Sequence, residues 1–94
     1  METGLSSEIM KKIKDITELY NYKFKIFGSR AKGNYKKNSD IDIAIFENVS
    51  DKDEYKIKNS FDLLDIPYTI DLVFINKNTK KELLASIIKE GVDL

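Results

Sequence analysis

Two aspartates one residue apart, Asp40 and Asp42, follow a Gly28-Ser29 pair after ten intervening residues. Each half supplies what the other lacks for phosphate chemistry. A Gly-Ser pair at a strand-to-helix turn can hold phosphate oxygens, glycine by letting the backbone approach and serine through its hydroxyl. Carboxylates at positions i and i+2 of a strand project from one face and can converge on one or two cations. Mg²⁺ takes a few carboxylates together with phosphate oxygens and water, which suits a site without imidazole or thiolate. Two such ions stabilise the attacking and leaving oxygens of an in-line displacement at phosphorus. A third carboxylate, Asp71, lies in a later strand-like run on the same face as Thr69 and Val73. Completing the metal nest is the natural use of a charge there.

Each of these signals has a commoner structural use when it stands alone. An Asp-x-Asp is usually a solvated strand edge, a Gly-Ser pair a helix cap, and a lone strand aspartate an edge pair. The combination is rarer, arising by chance in a chain of this length roughly once in a thousand at average residue frequencies.

The bulk of the chain narrows the chemistry further. At 94 residues it is expected to form one domain, 1–94, large enough to fold without disulfides or a structural metal. There is no room for a second substrate-binding domain. Sixteen basic residues balance sixteen acidic ones, so a role in coating nucleic acid is not expected, since such binding rests on a basic surface. With no histidine and no cysteine, an active site must be built from carboxylates, hydroxyls, amines and metal. The amino terminus has neither a basic start nor an apolar core of the signal-peptide kind, and no apolar run is long enough to span a bilayer. A soluble cytoplasmic protein is the expectation, with no membrane partner.

The elements that must position these residues follow from periodicity. Ile9, Ile13, Ile16 and Tyr20 fall on one face of a helix from Ser7 to about Tyr20. Lys23 to Phe27 reads as a strand that Gly28 breaks, with Ser29 capping a short helix to about Gly33. Asp40 to Phe46 alternates, Ile41, Ile43 and Ile45 on one face and Asp40, Asp42 and Ala44 on the other. Ser50 and Asp53 mark the start of a helix striped by Ile57, Phe61 and Leu64, which Pro67 prevents from continuing. Tyr68 to Ile75 is the third strand. Thr79 and Glu82 match a capping box, opening a helix through Lys89 that ends at Gly91. The order is α-β-α-β-α-β-α, an α/β fold with helices packed on a small mixed sheet of three or four strands.

Gly28-Ser29, ten residues, Asp40-x-Asp42 and a later-strand aspartate together resemble the nucleotidyltransferase superfamily that includes DNA polymerase β. The short length and the runs Gly28-Ser29-Arg30-Ala31-Lys32-Gly33 and Ser39-Asp40-Ile41-Asp42-Ile43-Ala44 resemble its minimal nucleotidyltransferase (MNT) branch. Many members of that branch are antitoxins of HEPN–MNT toxin–antitoxin pairs, some of which transfer AMP from ATP to a tyrosine of the HEPN toxin. The resemblance covers nearly the whole chain and implies a nucleotidyltransferase fold. It also implies that Gly28 and Ser29 bind the triphosphate of ATP, that Asp40 and Asp42 hold two Mg²⁺ ions, and that Asp71 binds the ion that activates the acceptor hydroxyl. Arg30 and Lys32 could neutralise phosphate charge, although exposed cations on a short helix serve solubility equally well. Tyr35, Lys36 and Lys37 read as a solvated loop.

A catalytic core this small can position its nucleotide and little else, so the acceptor is expected to come from a partner protein, in line with the HEPN pairing. A second reading is a nucleotide-binding antitoxin that neutralises its partner by complex formation without catalysis. A third is transfer to a small molecule, for which a partner subunit would have to complete the acceptor pocket.

Overall fold

The computed structural model describes residues 3–94. Helix α1 (Ser7–Glu18) starts where Ser6 turns its Oγ to the Ile9 amide at 3.2 Å. That bond satisfies one of the amides a helix start leaves unpaired. Strand β1 (Phe24–Phe27) leads through Gly28 into the one-turn helix α2 (Ser29–Lys32). Strand β2 (Ile41–Ile45) is followed by α3 (Asp51–Asp62), capped by Ser50 Oγ on the Asp53 amide at 3.1 Å. Strand β3 (Ile70–Phe74), helix α4 (Lys81–Glu90) and a two-residue strand β4 (Val92–Asp93) complete the chain.

The sheet is four-stranded in the order β3-β2-β1-β4. β1 is antiparallel to β2 and to β4, while β2 and β3 run parallel, so the expected mixed α/β sheet is present. β4 could not be foreseen, because two residues show no periodicity. The pairing of Lys25 with Asp93 helps to hold it, the two side chains meeting at 3.2 Å.

One face of the sheet carries the core. Phe24 and Ile26 of β1 and Ile41, Ile43 and Ile45 of β2 are buried with Ile13 and Ile16 of α1 and Ile57 and Phe61 of α3. Burying side chains of this size is worth about 1.5–3 kcal/mol each, which is what fixes the strand register: a slip of one residue would turn all three β2 isoleucines to the other face. By the period of two, Lys25, Phe27, Asp42, Ala44, Asp71 and Val73 share the opposite face. Gly91 at the end of α4 sits against Lys25, close enough that an added Cβ would lie 3.2 Å from its Cδ. The end of α4 therefore covers the Lys25 part of that face.

Two of the expected helix starts differ. Thr79 does not form a capping box: its Oγ1 accepts from the Asn76 amide at 3.0 Å, inside a turn that Asn76 Oδ1 also closes by accepting from Asn78. α4 instead begins after Lys80, with no side-chain cap. The cap of α2 is Gly28, and Ser29 is the first residue of the helix.

Candidate active site

The strand ends and one turn bring the sequence-predicted residues to one end of the sheet. Because β1 is antiparallel to β2, its last residue, Phe27, stands opposite Asp42. Because β3 is parallel to β2 and in register, Asp71 stands opposite Asp42 on the other side. Phe27, Asp42 and Asp71 thus form a row across three strands. Gly28, immediately after Phe27, bends over this row at φ 75° and ψ −153°. That conformation is essentially confined to glycine. A Cβ at Gly28 would collide with Asp42 Oδ2. The turn backbone therefore lies directly against the central carboxylate.

Asp42 is partly buried, and Asp40 and Asp71 are exposed. Asp40 precedes β2 by one residue, which leaves it at the mouth of the site. Burial pushes the Asp42 carboxyl above the ordinary aspartate range, and the negative charges of Asp71 and then Asp40 push it the same way. All three causes would be offset by positive charge placed among the carboxylates. Among the described residues, however, the acidic side chains do not close into a three-ligand group ready for a metal ion. The donor set, carboxylate oxygen alone, has the chemistry that Mg²⁺ prefers. The carboxylates are close enough to perturb one another and still open in arrangement.

Lys32, at the end of α2, keeps its ammonium partly exposed at 3.9 Å from Glu90 of α4. Arg30 is different, and corrects the expectation of an exposed cation on a short helix. It is 1% exposed. Its Nε and Nη2 both donate to the Ser39 carbonyl, at 3.1 and 2.8 Å, and Nη1 donates to the Thr3 carbonyl at 3.0 Å. Tyr35 and Tyr68 lie against the guanidinium, with ring centroids 5.3 and 4.5 Å from Cζ. A guanidinium turned inward in this way presents no face to a triphosphate. Tyr35, expected in a solvated loop, is instead half-buried, with Gly4 packed against its ring. The signal that could have pointed to this box was an arginine next to alanine on a helix of one turn, a place where one side must face the sheet.

Comparison with known proteins adds to this geometry. The family described as "Polymerase beta, Nucleotidyltransferase" matches residues 7–94. No curated protein matches the sequence closely enough to show kinship. Among solved structures, one described as a toxin-antitoxin with AMP-PNP superposes with a TM-score of 0.58 at 23% identity, over 92% of this chain and 68% of that one. A candidate nucleotidyltransferase from Sulfolobus solfataricus superposes with a TM-score of 0.51 at 20% identity, over 90% and 74%. At these identities the two structures share the fold.

Proposed function

The chain belongs to the polymerase β nucleotidyltransferase family, and we propose that it transfers AMP from ATP to a hydroxyl of a partner protein, a tyrosine of a HEPN-type toxin, and so acts as an antitoxin. The observation that carries this reading is the row in which Gly28 lies against Asp42 and Asp42 is in register with Asp71. It sets a glycine turn and two carboxylates at one end of the sheet, with Asp40 beside them. The superposition on a toxin-antitoxin structure described with AMP-PNP supports both the nucleotide and the partner.

In the transfer, the acceptor oxygen forms a bond to the α-phosphorus as the bond to the β-phosphate oxygen breaks. Pyrophosphate leaves, and the acceptor proton passes to water or to a carboxylate at the site, the chain having no histidine. Gly28 admits the triphosphate to the backbone and Ser29 offers its hydroxyl. Asp40, Asp42 and Asp71 would hold two Mg²⁺ ions, which when bound supply charge neutralisation at the phosphate and a lowered pKa for the acceptor hydroxyl. Lys32 adds positive charge at the mouth, released from Glu90. The acceptor hydroxyl would be presented by the partner protein.

The test is co-expression with the product of the neighbouring gene, followed by the intact mass of that product. A gain of one or more AMP units, lost when both Asp40 and Asp42 are replaced by asparagine, is expected. Modification that persists in the double variant with Mg-ATP present would refute the mechanism. One competing reading is neutralisation by binding alone. Stoichiometry separates the two: a binder protects its partner one for one and adds no mass.

A further inference from the structure

Arg30 is the most deeply buried charge among the described residues, and its surroundings are unusual for one. No carboxylate among the described residues pairs with it, and their four ion pairs all involve lysines. Burying an unpaired cation is costly, and an apolar side chain of similar volume would fill the space at less cost. What the guanidinium specifically supplies is a planar fork of donors between two aromatic faces.

The fork joins the segment of Thr3 to the loop that ends at Ser39. Two of its donors take the Ser39 carbonyl, the last group before Asp40. Ser39 itself closes the turn from Lys36, its Oγ accepting from the Lys36 amide at 2.7 Å and its amide donating to the Lys36 carbonyl at 3.0 Å. On the other side of Asp40, the Ile41 amide donates to the Thr69 carbonyl at 2.9 Å. Thr69 follows Tyr68, whose ring lies on Arg30. The backbone of Asp40 is therefore held on both sides, and one of its two anchors is Arg30. The same side chain touches the approach to β3, which carries Asp71.

We propose that Arg30, clamped between Tyr35 and Tyr68, is a positioning residue that sets where Asp40 stands relative to Asp42 and Asp71, and that it does not contact the nucleotide. The inference rests on the proposed use of these carboxylates as ligands for divalent cations. Asp40 is exposed and lies outside the strand, so its place depends on the loop before it more than on sheet pairing. An open trio of carboxylates has most to lose when one of them is free to wander.

The test uses the full chain, Mn²⁺ as the metal probe read by electron paramagnetic resonance, and AMP-PNP binding in EDTA read by calorimetry. Arg30→Lys keeps the charge but cannot bond the Ser39 and Thr3 carbonyls with one planar fork. It should weaken Mn²⁺ binding about tenfold, the usual cost of losing a partner that orients a ligand, and leave metal-free AMP-PNP affinity unchanged. Tyr68→Leu removes one face of the clamp and keeps the carbonyl bonds. It provides a milder variant in case the first does not fold, with the same Mn²⁺ loss in smaller measure. A fall in metal-free AMP-PNP affinity with Mn²⁺ binding intact would overturn the proposal and make Arg30 a phosphate ligand. Lower melting temperatures with Mn²⁺ affinity retained in both variants would overturn it too, and leave Arg30 a purely structural group. A wild-type chain that binds neither Mn²⁺ nor AMP-PNP would remove the functional reading itself. That result is distinguishable because it is read before any substitution.

Discussion

Replacing Gly28 by alanine probes the closest contact in the site, the turn backbone against the Asp42 carboxylate. The native φ of 75° with ψ −153° is a region that side chains avoid, at a cost of about 1–3 kcal/mol. The new methyl group would also collide with Asp42 Oδ2. A carboxylate can rotate away, so this adds only the cost of an off-rotamer side chain, about 0.5–1.5 kcal/mol. Loss of backbone freedom in the unfolded chain returns about 0.4–1 kcal/mol. A net destabilisation of about 2 kcal/mol is expected, a fall in melting temperature of about 8–16 °C for a domain of this size. Thermal and urea unfolding followed by circular dichroism in EDTA would measure it, with the urea m-value unchanged. The steric part has its own signature. In a double-mutant cycle, Asp42→Ala should remove the collision and show a coupling of about 1 kcal/mol with Gly28→Ala, whereas Asp42→Asn, of the same shape, should show almost none. A Gly28→Ala protein within about 0.5 kcal/mol of wild type, or strictly additive effects with Asp42→Ala, would refute the reasoning.

Other consequences can be checked in the same preparations. Since the folded state holds the Asp42 proton more tightly than the unfolded chain does, the contribution of this group is fully present at low pH. It is lost as pH rises from the ordinary aspartate range through the raised value. In EDTA, Asp42→Asn should flatten that fall and melt higher than wild type at neutral pH, and a lower melt there would contradict the electrostatic account. Mg²⁺ should raise the melting temperature of wild type more than that of Asp42→Asn, because binding to the folded state stabilises it by mass action. Lys32→Ala removes only a partly exposed pair at 3.9 Å and should cost less than about 1 kcal/mol of stability while weakening ATP binding, as competition with a labelled nucleotide would show. Equal ATP affinity would assign Lys32 to the surface. Ile43, fully buried in the inner strand β2, should lose about 1 kcal/mol as valine with nucleotide binding untouched. A concurrent loss of binding would mean that the core and the site are coupled more tightly than the packing indicates.

The site was legible in the sequence to the extent that it is local. Asp40-x-Asp42 was read as one face of a strand because side chains alternate with a period of two, and the isoleucines between and after the aspartates are buried as that reading requires. Ser50 caps its helix through the amide three residues on, the interaction expected from the pair Ser50 and Asp53. Thr79 and Glu82 made an equally good pattern and failed, because the Asn76 amide takes the threonine hydroxyl first. A capping residue has one side chain and several amides within reach, and the spacing of letters does not say which wins.

The amino-acid sequence by itself determined the elements other than β4, the buried face of β2 and the types of residue available for chemistry, since these depend on neighbours a few positions away. Tertiary structure alone decided that Asp71 is the register partner of Asp42 and that Gly28 lies on its carboxylate. Both follow from pairing between strands whose order along the chain does not reveal which residue meets which. It also decided the fate of Arg30. A long cation on a helix of one turn can reach solvent or turn inward with little difference in local energy. The choice belonged to Tyr68 and to the carbonyls of Thr3 and Ser39, groups brought around it only when the sheet closed.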